Sequence, residues 1–190
     1  MGTFIDAIKM GRAIGGEALK LLNSAEAMGE CKLKVSKREL RLRLRDLPAI
    51  EDDELRKLYA RYNELKGVKP KEALSVSLEI SKARWLRKLR ALFPTGIAEV
   101  TLKVFRIGNL VIIGLPGEPF VEIGISIKRN SYPLTCMIVG YVGPFAGYIP
   151  TSKAFKEGGY EVSLPACIVN PDVEELITAS ALNLLKDVST

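Results

Sequence analysis

The stretch "LVIIGLPGEPF", residues 110–120, decides how the rest of the chain is read. Leu110 to Ile113 make an apolar run of strand length, and the Gly-Leu-Pro-Gly that follows interrupts it, because glycine and proline punctuate strands and helices alike. One carboxylate, Glu118, is thereby delivered to the mouth of a buried strand on a restricted backbone, with a helix predicted directly after Pro119. Strand, kink, acid and helix in that order suit an α/β sheet, in which sites form outside the carboxyl ends of strands. Two readings of Glu118 stand together at this point. It is a functional acid at that edge, or it is an acid stabilised by the N-terminus of the helix that starts near Phe120.

Working outward, residues 97–106 and 110–115 read as two strands joined through "IGN", whose Gly108-Asn109 pair suits a tight hairpin. Upstream, residues 4–22 carry Phe4, Ile8, Gly11, Ile14, Ala18 and Leu21 at helical spacing. "CKLKV" and "ELRLRLRDLP" then alternate apolar with basic residues. Their apolar parity switches between the two, with Leu40, Leu42 and Leu44 on the second set, which predicts a bulge or turn near Ser36. An acid-led helix is expected over 51–66, with Leu55, Leu58, Tyr59, Tyr62 and Leu65 on one stripe and Gly67 at its end. A second runs from about Lys71 to Phe93, with Leu74, Leu78, Trp85, Leu89 and Leu92 inward and Pro94 closing it. Downstream, "LTCMIVGYV" is a continuous apolar run between Pro133 and Gly143, expected as a central strand covered on both faces. "VGPFAGYIPTSKAF" is a loop with three breakers around Tyr148, leading to a short helix near 151–156 that Gly158-Gly159 terminate. Asn170 and Pro171 are expected to open a last helix, "NPDVEELITASALNLLK". The sum is one α/β unit over residues 1–190, a mixed sheet flanked by helices.

Composition narrows the chemistry. With 190 residues, 47% hydrophobic and 26% charged, the chain can bury a sizeable core. No apolar stretch reaches the roughly 18 residues of a membrane span, and the N-terminus lacks the order of a secretory signal, so a cytoplasmic location is expected. There is no histidine, which removes the commonest general base and zinc ligand and excludes Ser-His-Asp and Cys-His triads. Cys31, Cys136 and Cys167 are far apart, with no CxxC, and are read as small buried apolar residues. The net charge of +6 and the run "KVSKRELRLRLR" raise a nucleic-acid or anionic-surface partner. Alternating arginines ordinarily mean a solvated strand face, and neither RNP-like aromatics nor a helix-turn-helix supports the nucleic acid.

"GLPGEPF", followed by "VGPFAGYIPTSKAF" and then "GGYE", resembles the neutral/alkaline ceramidase family of zinc-dependent amidases, including its shorter prokaryotic members. The resemblance runs from about Ile97 to Val162. In that family the glutamate of a PGE motif and the tyrosine of a GY-[IV]-x-T motif bind zinc, and a second tyrosine follows the first by twelve residues. The resemblance thus implies metal-ligand roles for Glu118 and Tyr148, and a substrate-contacting, catalytic role for Tyr160. It also implies hydrolysis of an N-acyl amide, with a ceramide-like lipid as one substrate class.

Departures from the family pattern carry equal weight. Gly143-Pro144-Phe145 stands where members commonly have an Asn-led polar segment. The family's zinc-binding histidines, catalytic serine and a substrate-contacting arginine all belong to a region upstream of the matching part. The expectation is therefore the C-terminal half of a catalytic domain, holding zinc only if histidines come from another segment or chain. Its expected partners are an N-terminal half or further copies of itself. The alternative is a non-catalytic relative that keeps the fold as a binding or scaffold module.

Overall fold

A computed structural model describes residues 2–27, 29–145 and 147–189. The chain divides into two units, Met1–Cys31 and Lys32–Thr190. The first contains helix α1 (Phe4–Asn23), and its start is set by a reciprocal capping box. The Asp6 amide donates to the Thr3 hydroxyl, while the Asp6 carboxylate accepts from the Thr3 amide at 2.8 Å. None of the α1 side chains is buried.

In the second unit, β1 (Leu33–Arg43), β2 (Ile97–Ile107), β3 (Leu110–Gly114) and β5 (Thr135–Val139) form a four-stranded sheet in that order. β4 (Glu118–Pro119) and β6 (Tyr148–Ile149) form a separate two-stranded one. The first three strands are antiparallel, and the β2–β3 hairpin turns at Gly108-Asn109 as its sequence predicts, with Gly108 at φ 59°. β3 and β5 are parallel, so the chain between them must cross over, and it does so through α4 (Val121–Arg129). The mixed sheet flanked by helices is the architecture expected.

One face of the sheet is the core. Leu42, Leu102, Val104, Val111 and Ile113 are fully buried there, each side chain worth about 1.5–3 kcal/mol of transfer from water. The cover is α6 (Val173–Ser189) on β1 and β2, and α4 on β5. α6 presents Ile177, Ala181, Leu184 and Val188 at helical spacing. Arg106 ties the far end of that helix to β2, donating to the carbonyls of Val188 and Ser189. α2 (Asp52–Leu65) and α3 (Pro70–Leu92) pack on each other.

Four local expectations are corrected. β1 runs without a bulge: Ser36 pairs with Val104 in unbroken register, and Leu33 and Val35 simply face outward. "LTCMIVGYV" supplies an edge strand, β5, rather than a central one, and Met137 on its outer face stays 50% exposed. In α3 the buried stripe is Ala73, Val76, Ile80, Ala83, Leu86 and Leu89. Leu74, Leu78, Trp85 and Leu92 lie exposed on another face. That helix carries two apolar stripes, and the buried one places Leu86 and Leu89 in the core cluster. Finally, Asn170 does not cap α6 with its side chain, which instead donates to the Leu44 carbonyl at 2.8 Å and joins the helix entry to β1. Of the cysteines, Cys167 is buried, while Cys31 and Cys136 are half-buried.

Candidate functional site

The site is assembled by main chain before any side chain takes part. After β3, Leu115 donates its amide to the Val139 carbonyl at 2.8 Å and accepts from the Val142 amide at 3.0 Å, binding the kink to the end of β5. Gly117 then turns at φ 57°, a conformation that favours glycine. A Cβ there would collide with the Gly147 carbonyl oxygen and meet the Phe145 ring at 3.1 Å. The empty position lets β4 and β6 close on each other, with the Glu118 amide donating to Gly147 at 2.8 Å and the Phe120 amide to Ile149 at 3.0 Å.

In the resulting parallel pair Glu118 is the register partner of Tyr148. The two residues singled out by sequence, thirty positions apart, are therefore neighbours across a strand ladder, where strands lie about 4.8 Å apart. Tyr160 joins them. α5 (Ser152–Glu157) is capped by Thr151 and stopped by Gly158 and Gly159, with φ 80° and 115°. The chain then enters a short 3-10 turn, Tyr160–Val162. Its first ring stands edge-on to that of Tyr148, centroids 6.1 Å apart at 79°. Phe120 flanks Tyr148 at 6.5 Å and 87°. All three predicted residues are brought together.

A fourth residue escaped sequence reasoning. Among the described residues, Tyr141 alone combines a side chain with a positive φ, 57°, a conformation that costs of order 1–3 kcal/mol outside glycine. Its amide donates to the Gly117 carbonyl at 2.7 Å, and the Glu118 carboxylate beside its phenol raises the Tyr141 pKa above its ordinary value. The Tyr148 pKa is raised too, by the Glu118 charge first, then by desolvation and a hydrogen bond to the same carboxylate. Both shifts favour the neutral phenol beside the Glu118 charge. The signal that could have found Tyr141 is its place between Gly140 and Gly143, just past the end of a strand.

Glu118 is not the acid of the α4 first turn. That residue is Glu122, and the N-cap is Phe120. Beside Glu118 opens a cleft of about 490 Å³, walled by Pro119, Phe120, Val121, Ile125 and Ile138, with Tyr141 and Tyr148 at the Glu118 side.

One carboxylate and one phenol do not make a zinc site. Catalytic zinc takes roughly three protein donors, and among the described residues no three His, Cys, Asp or Glu side chains gather. The residues present fit that metal only as part of a larger donor set.

Comparison with known proteins is partial. No protein-family model matches the chain. Over 68 residues it is 31% identical to the neutral ceramidase of Mycobacterium tuberculosis, an overlap covering 33% of this chain and 11% of that protein. Two solved structures, a ceramidase complexed with C2 and the neutral ceramidase of Pseudomonas aeruginosa, superpose with a TM-score of 0.42 and 21% identity over 48% of this chain and 15% of theirs. Over that 68-residue overlap the chain is similar to a neutral ceramidase, and it spans a small fraction of the proteins it matches.

Proposed function

We propose that this chain supplies part of a ceramidase-like site for hydrolysing N-acyl amides, and that it is inactive until another segment or chain completes it. The observation that carries this reading is the ladder pairing of Glu118 with Tyr148, with the Tyr160 ring against the latter. Glu118 and Tyr148 would supply two oxygen ligands to a zinc ion whose remaining ligands would be histidines from elsewhere, since this chain has none. Tyr160, 69% exposed, is free to donate a hydrogen bond to the oxyanion that develops on the amide carbonyl, and the apolar cleft takes the acyl chain. A ceramide-like lipid is one substrate of that class.

The test is complementation. A ceramidase-like N-terminal segment, supplied in trans or fused ahead of Met1, is expected to create zinc-dependent release of fatty acid from an N-acyl substrate. Glu118→Ala loses both zinc and activity. Tyr160→Phe keeps zinc and lowers turnover by about 100- to 1,000-fold, the range for losing one oxyanion donor. Unchanged zinc content and activity in Glu118→Ala would sink the assignment.

A second reading, a non-catalytic relative serving as a binding or scaffold module, is favoured by Phe145. It is buried against the Gly117 turn, where the family commonly has a polar segment, so an apolar ring stands there in place of a polar side chain. A completed pair that retains zinc but hydrolyses nothing would support it.

A further inference from the structure

The cleft beside Glu118 carries opposite charges at its two ends. It follows α4, and its charged lining residues are Glu118, just before the helix, and Lys128, in the last turn. Between them the wall is apolar: Phe120, Val121 and Ile125 on one side and Ile138 of β5 on the other. From Val121 to Lys128 the helix rises about 10 Å, a span that one extended ligand can bridge. A Cβ at Gly124 would rest in ordinary contact 3.6 Å from Ile138, so a longer side chain there would fill the passage.

We propose that this cleft binds an amphiphile with an uncharged amide at one end and an anion at the other. The alkyl segment lies along α4, the anion sits on the Lys128 ammonium, and the amide reaches Glu118 and its phenols. The reverse orientation places an anion against the Glu118 carboxylate and is disfavoured by like-charge repulsion. The choice of an amide for the Glu118 end rests on the hydrolase reading above. The choice of an anion for the far end rests on Lys128.

Three probes of one length separate the ends: decanamide, the monoamide of decanedioic acid, and its cationic counterpart 10-aminodecanamide. Titration calorimetry on the intact chain at low salt is expected to rank the acid monoamide up to about five-fold tighter than decanamide, the upper end of the range for a solvent-exposed ion pair. Lys128→Met keeps the apolar stem and abolishes that preference. Lys128→Arg retains it, and Lys128→Glu transfers it to the amino amide. Gly124→Leu, which fills the passage without removing a helix former, weakens all three. Equal binding of the three probes, a preference that survives Lys128→Met, or no saturable binding would each overturn the proposal. Hydrolysis is not needed for any of these readouts. An inactive completed pair would therefore count against the hydrolase reading and leave this site standing.

Discussion

Adjacent rows across the same four strands meet opposite surroundings. Ser36, Val104, Ile113 and Ile138 lie in register on the face beneath α4 and α6, and Val104 and Ile113 are fully buried. One residue along, Val35, Phe105, Ile112 and Met137 make an equally continuous row on the other face. Yet Val35 remains 64% exposed and Phe105 40%. The second row has the composition of a covered surface without a cover among the described residues. Further along that face the character changes to Lys37 opposite Lys103 and an Arg41–Glu99 ion pair at 3.9 Å, as a solvated sheet would have. Apolar alternation reports a demand for burial, and the described residues meet that demand on one face only.

The sharpest way to break the comparison is by truncation on each face. Leu102→Ala, on the inner face, is expected to cost about 3–4 kcal/mol in urea unfolding. Phe105→Ala, three residues later on the outer face, is expected to cost under about 1 kcal/mol. Comparable losses would mean that the outer row is covered after all. An intermediate effect is expected in assembly. An apolar row beside the open edge of β5 favours self-association, so light scattering on the purified chain should give a mass above the monomer, and Phe105→Lys with Met137→Lys should restore it. A monomer before substitution would separate apolar composition from stickiness.

The smallest effect lies where both faces end, at the carboxylate. Replacing Glu118 by Gln removes the charge that favours neutral phenols, so the raised pKa values of Tyr141 and Tyr148 should fall back toward the ordinary tyrosine value in an ultraviolet phenolate titration. The sign for stability follows from the same shifts. A phenol whose pKa is higher in the folded state contributes stability that is complete below about pH 10 and lost as pH rises through the raised value. The gap between the parent and Glu118→Gln should therefore close in strong alkali. A gap that widens there would contradict the hydrogen-bonded arrangement.

Local chemistry was legible wherever a residue type acts through its own backbone. Gly108-Asn109 turned as a hairpin, Gly158-Gly159 ended α5, and the broken stretch after Ile113 delivered Glu118 to a strand end. The meeting of Glu118, Tyr148 and Tyr160 was legible through motif order, not through periodicity, because a ladder between two-residue strands leaves no pattern to read. What escaped had tertiary causes. α3 carries two apolar stripes, and which of them is buried depends on what packs against it, while β5 became an edge because no further strand lies beside it among the described residues. Tyr141 was missed because a left-handed φ has no signature in a residue that normally avoids it.

The near-contact of Gly117 with Gly147 has a consequence for how the site can be watched. The amides of Glu118, Phe120, Tyr141 and Tyr148 are all donated within a few residues of that crossing, so their exchange with deuterated solvent should slow or quicken as a block, set by one local opening event. Gly117→Ala, which puts a methyl where the crossing needs none, should release the four together while amides in β2 keep their protection. The backbone thereby offers a clock for the integrity of this corner that needs no metal, substrate or partner to be present.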